Sequence, residues 1–195
     1  MTRRRNRNQQ GNAAKLATAL FPGSSRPSTK AQRHVQMLLS GPPTLLSSDG
    51  SGTIAAADAP TLANLAKYSS YAATWDEFRI LGVRWTVQPV GVNAGVTVFY
   101  VDDEDTVVPS STSAQTKGQF VLSCNSAAHS KPAVIPYRSQ NVTDLTWYST
   151  NSQASTQFCA LKVYGNNATY NQPASTALWL VRHELLIQFR GPGGV

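Results

Sequence analysis

The chain has 195 residues, of which 41% are apolar and only 14% charged, with a formal net charge of +7. One domain with an appendage fits that length better than two full domains, and a charged share about half that of an average soluble protein marks a surface that meets other protein. No stretch approaches the roughly 18 uninterrupted apolar residues of a membrane span, and no apolar run follows Met1-Thr2-Arg3-Arg4-Arg5, which argues against a secreted or membrane-spanning protein.

Charge is segregated along the chain. Residues 1–33 contain Arg3, Arg4, Arg5, Arg7, Lys15, Arg26, Lys30 and Arg33 and no acid, giving +8, whereas the remaining nine bases and ten acids give −1. A basic segment rich in Asn, Gln, Gly, Ser and Pro cannot bury enough apolar surface to fold alone, so residues 1–45 are expected to form a mobile arm and residues 46–195 the folded body. A leader or import signal is one reading of such an arm, and a polyanion-binding tail is the other. Each Lys or Arg that neutralises a phosphate releases a condensed counterion whatever the base sequence, so these eight bases form a nucleic-acid-binding set that needs no fold. Phe21 is the only aromatic residue among the first 33, and the arm therefore lacks a platform for base stacking.

Apolar Val35, Met37, Leu38 and Leu39 precede the breaker Gly41-Pro42-Pro43, which marks the expected boundary between arm and body. A short helix is predicted over Asp58 to Ala66, with Asp58 as cap, Pro60 in the first turn, and Leu62, Leu65 and Ala66 on one side. Beyond it the dominant period is two. Val83, Trp85 and Val87 share one face of a strand that ends at Pro89, and the β-branched run Val96 to Val101, apolar on both faces apart from Thr97, reads as a central strand. Pro109 to Lys117 and Gln172 to Thr176 read as polar loops suited to contacts between subunits. Further strands are predicted over Phe120 to Cys124, Val142 to Tyr148, Phe158 to Tyr164 and Ala177 to Phe189, each followed or preceded by turn-forming residues. Cys124 and Cys159 have no C-x-x-C partner and read as small buried apolar residues. Seven or eight strands without a βαβ rhythm leave an all-β sandwich or barrel.

Three segments carry a family resemblance: Leu65-Ala66-Lys67-Tyr68-Ser69-Ser70-Tyr71, Glu77-Phe78-Arg79-Ile80-Leu81-Gly82-Val83-Arg84-Trp85 and Gly95-Val96-Thr97-Val98-Phe99-Tyr100-Val101-Asp102. In that order, with Pro89 and Pro109 and the acidic run Asp102 to Asp105, they resemble the coat protein shell domain of small icosahedral positive-strand RNA viruses of the sobemovirus and tombusvirus kind. The likeness extends from about residue 58 to 190, and the basic arm before it matches the family's layout. It implies an eight-stranded jelly-roll sandwich with a disordered basic arm and no enzymatic activity. It also implies assembly of on the order of 60 or 180 copies into an icosahedral shell, around single-stranded viral RNA, in the host cytoplasm, with the virion as final location. With Val195 soon after the last predicted strand, the resemblance is expected to be to smooth-shelled members, without a protruding domain.

No cofactor is required on this reading, but the resemblance implies calcium between subunits, held by Asp102 and Asp105. The bland alternative is a solvated loop tip; on the calcium reading, chelation at mildly alkaline pH swells the particle. Catalysis has little support. His34 sits at the arm junction, His129 in a Ser/Ala loop and His183 on an otherwise apolar strand face, where it reads as a satisfied structural histidine. No G-x-S-x-G elbow, P-loop, G-x-G-x-x-G or H-E-x-x-H is present. The alternative function is a monomeric β-sandwich with a basic tail, binding nucleic acid, or binding carbohydrate on Trp75, Trp85, Trp147 and Trp179.

Overall fold

The computed structural model describes residues 34–103, 106–129, 131–138 and 145–191. Its strands are β1 (Val35–Ser40), β2 (Thr44–Ser47), β3 (Ile54–Asp58), β4 (Glu77–Pro89), β5 (Val92–Asp102), β6 (Phe120–Asn125), β7 (Ala133–Arg138), β8 (Tyr148–Ser149), β9 (Ala160–Gly165) and β10 (Ala177–Arg190). They form two antiparallel sheets. The first runs β1-β10-β4-β7, with β2 also on β10 and β8 on β4; the second runs β3-β9-β5-β6.

β1 lies opposite residues 184–189 of β10, and β2 opposite residues 177–181 of the same strand. The two are halves of one edge strand, interrupted where Pro42 and Pro43 cannot donate to the ladder. Counting them as one, and β8 as a short addition, leaves eight strands in two sheets of four, the jelly roll expected from the resemblance. Gly41-Pro42-Pro43 is thus a break inside a strand. Residues 35–40 and 44–45, placed in the arm on sequence grounds, belong to the sheet, with Met37 and Leu39 packed on the core. Their period-two spacing was the signal, and the breaker masked it.

The inner faces meet in one core. Phe78, Val83, Trp85, Val87, Phe99, Leu161, Val163, Leu178, Trp179, Leu185, Ile187 and Phe189 are fully buried, and Phe99 meets Trp179 edge-on at 5.0 Å. Burying a side chain of this size contributes roughly 1.5–3 kcal/mol. Cys124 and Cys159 are buried among them, as expected. β5 is central, between β9 and β6.

Four local predictions differ from the structure. Asp58 ends β3 rather than capping a helix. The helical turn starts at Leu62–Asn64 and a helix follows at Tyr68–Thr74. The reason is tertiary: the Asp58 carboxylate accepts Trp85 Nε1 at 2.7 Å and faces His183 Nδ1 at 3.1 Å, both from the opposite sheet. Pro109 to Lys117 is no open loop, since Ser111–Lys117 is a helix closed by a reciprocal Ser110/Ser113 capping box, and its buried Ala114 packs with Val98 and Tyr164. β7 went unpredicted because Pro136 argues against a strand. It is tolerated at the sheet edge, where no further strand needs its missing N–H. Of the strand predicted over Val142 to Tyr148, residues 142–144 lie outside the described residues, and pairing is limited to Tyr148–Ser149.

Gln172 is the other departure. Expected on a contact loop, it is fully buried; its Nε2 donates to the Val96 carbonyl and to Thr97 Oγ1, which also accepts Trp179 Nε1 at 2.8 Å. The amide therefore ties the loop before β10 to the middle of β5. Gln172→Leu strands these acceptors in the core, and chemical denaturation is expected to show a loss of about 2 to 4 kcal/mol; an unchanged midpoint would mean that the network has no structural weight.

Candidate functional site

All eight bases assigned to nucleic-acid binding, Arg3, Arg4, Arg5, Arg7, Lys15, Arg26, Lys30 and Arg33, lie outside the described residues. The first described residue, His34, runs directly into β1, which fixes where the arm joins the body. That root lies at the end of the first sheet, whose outer face has a marked composition. Alternation along β4, β7 and β10 turns Arg79, Arg84, Arg138, Arg182 and Arg190 to that face, against Glu77 and Glu184. Five of the body's nine bases therefore share one face with two acids. Arg84 pairs with Glu184 across β4 and β10, Arg190 pairs with Glu77, and Arg182 is exposed. The hydrogen bond from Arg190, first of all, holds the Glu77 carboxyl below its ordinary value. Sequence reading found the polar faces of β4 and β10 separately; that they add up to one basic surface follows only from the pairing register.

The outer face of the second sheet is different. It is covered by the helix Ser111–Lys117 and by the loop through Val107, whose carbonyl accepts from the fully buried Lys162 Nζ. Asp102, at the end of β5 on this side, is 6% exposed and holds Lys117 Nζ at 3.1 Å; Asp103 accepts the Tyr137 hydroxyl at 2.7 Å. Asp105, the other residue expected to hold calcium, lies outside the described residues. Calcium takes six to eight oxygen ligands, roughly, several of them anionic. Of the expected pair, Asp102 already faces an ammonium from its own chain, and no group of three His, Cys, Asp or Glu side chains gathers among the described residues. The Asp102–Lys117 pair weighs against that expectation. Chelation with EDTA at mildly alkaline pH is expected to leave sedimentation of the assembled protein unchanged, and swelling would show that a divalent cation competes with Lys117.

His183 and Asp58 form a His–Asp pair between the sheets, at 3.1 Å. It cannot serve as part of a triad. His183 is 4% exposed, its Nε2 has no hydrogen-bond partner among the described residues, and a Cβ added to Gly41 would stand 1.9 Å from that nitrogen. The position where a nucleophile would stand is thus filled by main chain. The histidine is structural, as expected, but satisfied at only one nitrogen. Of the other two, His129 Nε2 meets the Ser123 carbonyl at 3.0 Å, and His34 packs on Trp147. The four tryptophans do not form a common surface. Trp85 and Trp179 are core residues, Trp75 stacks on Phe189, and only Trp147 lies on the outer basic face.

No protein-family model matches the chain, and no curated protein matches it in sequence. Solved structures do. A chain of tobacco necrosis virus superimposes with a TM-score of 0.56 at 13% identity, covering 81% of this chain and 97% of that one. A chain of the semi-empty VLP of giant freshwater prawn Macrobrachium rosenbergii nodavirus gives 0.58 at 12% identity, covering 88% and 90%. Cocksfoot mottle virus gives 0.56 at 10% identity, covering 83% and 96%. The chain has the jelly-roll fold of viral shell proteins, and at these identities the likeness is one of fold.

Proposed function

We propose that the chain is a viral coat protein that assembles into an icosahedral shell and packages a single-stranded RNA genome through its basic arm. The observation that carries this reading is the conjunction of a viral jelly roll with a +8 segment joined to the end of its basic sheet face. A jelly roll alone fits many functions; a jelly roll with a nearly neutral body and all its excess charge in one leader fits a container for a polyanion.

The body also carries surfaces suited to self-contact. Val92, Val107, Val108, Val121 and Val134 are more than half exposed, and Val121 and Val134 stand on the edge strands β6 and β7 of the two sheets. With only 14% charged residues, contacts between copies desolvate few ions, which keeps many weak, repeated interfaces favourable. Repeated contacts that close under rotation give a shell. Eight arm charges per copy place on the order of 480 or 1,440 positive charges inside a shell of about 60 or 180 subunits, enough to offset a large share of a packaged strand's phosphates. The protein then acts as scaffold and condenser rather than as an enzyme, in the virion and, during assembly, in the host cytoplasm, with no membrane partner.

Size-exclusion chromatography of the expressed full chain with absorbance at 260 and 280 nm tests this. The expected product is a megadalton particle rich in 260 nm absorbance. Elution near 21.0 kDa without nucleic acid would instead favour a monomeric β-sandwich with a basic tail.

A further inference from the structure

Where the arm joins the first sheet, four side chains from distant parts of the chain converge on the outer face. The guanidinium carbons of Arg79 (β4) and Arg190 (β10) lie 4.6 and 4.2 Å from the ring centroid of Trp147, just before β8. His34, the residue at the arm root, packs on the same ring at 5.4 Å. Arg79 Nε donates to Gln188 Oε1 at 2.8 Å, and Arg190 Nε donates to the Glu77 carboxylate. Among the described residues these bonds use only the Nε of each guanidinium, so the terminal nitrogens of both remain available as donors.

The arrangement is electrostatically incomplete. Two guanidiniums share one ring and, among the described residues, only Arg190 is paired with an acid, which leaves these with an excess positive charge. Burial, and after it repulsion from Arg190, lower the Arg79 pKa from its ordinary value. Cation–π contact with Trp147 holds both groups in place at some loss of hydration, which preorganises them for an external anion. Guanidinium forks match phosphate oxygens in pairs, which a lysine ammonium does not. Because both guanidiniums lie against the Trp147 ring, the cluster suits a backbone phosphate better than a stacked base.

We propose that Arg79 and Arg190, held by Trp147 beside the arm root at His34, form a phosphate-binding site on the folded body that takes the sugar–phosphate backbone of the strand gripped by the arm. The inference rests on the reading of the arm as a nucleic-acid tail. A nucleic acid rather than a free anion is the fitting ligand because the basic face continues away from the cluster. Along β10, Arg182 lies eight residues from Arg190, about 26 Å at the rise of an extended strand, with Arg84 on the neighbouring strand between them. A single strand leaving the arm at His34 meets the cluster first and then this track.

The test uses the full chain and a single-stranded oligouridylate. After ultraviolet cross-linking and trypsin digestion, the peptide Ser139–Lys162, which carries Trp147, is expected to bear nucleotide alongside peptides of residues 1–33. The double variant Arg79→Gln/Arg190→Gln is expected to make the slope of log affinity against log salt shallower by about 1.4, two phosphates at 0.7 each, and Arg79→Lys/Arg190→Lys to restore most of it. The cross-link on the unaltered chain keeps the test valid even if the glutamine variant folds poorly. Cross-links confined to residues 1–33, with an unchanged slope in a folded double variant, overturn the site while leaving the arm's role standing; failure of the unaltered chain to bind at all overturns both. Inorganic phosphate, at the ionic strength of a chloride control, is expected to leave the Trp147 cross-link in place. Its loss would make a free anion the ligand and overturn the assignment to a strand.

Discussion

Particles formed without residues 1–33 are expected to be empty. The truncation removes eight bases and no acid, so the protein changes from +7 to −1 while every described strand is retained. With it goes the counterion release that supplies affinity without sequence specificity. For the full chain, eight phosphate contacts on a single strand predict a salt slope of about −5 to −6. The truncated protein should keep only the shallow dependence of the body's own arginines, too weak to retain a genome at physiological salt. Absorbance at 260 nm in purified particles measures the outcome directly, and circular dichroism checks that the β body persists. Truncated particles that carry as much nucleic acid as the full chain would remove the arm from its assigned role and move genome binding to the sheet face.

Gly41→Ala is expected to be among the most damaging single substitutions in the described body. The Gly41 N–H donates to the His183 carbonyl at 3.0 Å, in the gap between β1 and β2. A methyl at Gly41 would stand 1.9 Å from His183 Nε2 and 2.5 Å from Cδ2. The imidazole has no room to retreat, because it is 4% exposed and its Nδ1 is committed to Asp58, which also holds Trp85 Nε1. Overpacking a rigid core costs about 1–3 kcal/mol, and a contact this close belongs at or above the upper end. Either the edge strand peels from β10 or the Asp58–His183–Trp85 junction between the sheets breaks. Denaturant unfolding is expected to lose about 3 kcal/mol, and His183→Ala in the same chain to recover part of it, as residues in contact couple in a double-mutant cycle. A Gly41→Ala protein with an unaltered midpoint would show that the break is loose and that the buried imidazole tolerates intrusion.

The most regular parts of this fold were legible in the sequence. Strands β4 and β10 announce themselves by period-two patterning, β5 by a β-branched run apolar on both faces, and β6 and β9 by the turn residues that flank them; Trp85 and Trp179 fall in phase with the core because large aromatics dominate a sandwich interior. What the sequence hides is long-range. Ala55, Ala56 and Ala57 of β3 have little strand propensity and are held by β9, while Asp58 looks like a helix cap but answers two donors from the other sheet. Ser110 to Lys117 has a single buried apolar residue, Ala114, so its helix carries no amphipathic signal beyond the capping serines. The same holds for function. The arm's proposed chemistry needs no fold and is read from composition alone, whereas the basic sheet face depends on a register that sets Arg79 beside Gln188 and Arg84 beside Glu184, a hundred residues or more away along the chain. Lys117, fifteen residues from Asp102 and on a helix the sequence did not reveal, faces the start of the acidic run.

Electron microscopy of particles assembled from the expressed full chain tests the central claim most directly. A reconstruction is expected to show a closed icosahedral shell of jelly rolls in which His34 and the outer face of the β1-β10-β4-β7 sheet look inward on density for nucleic acid. Only single molecules on the grid, or shells that turn this basic face to the solvent, would contradict it.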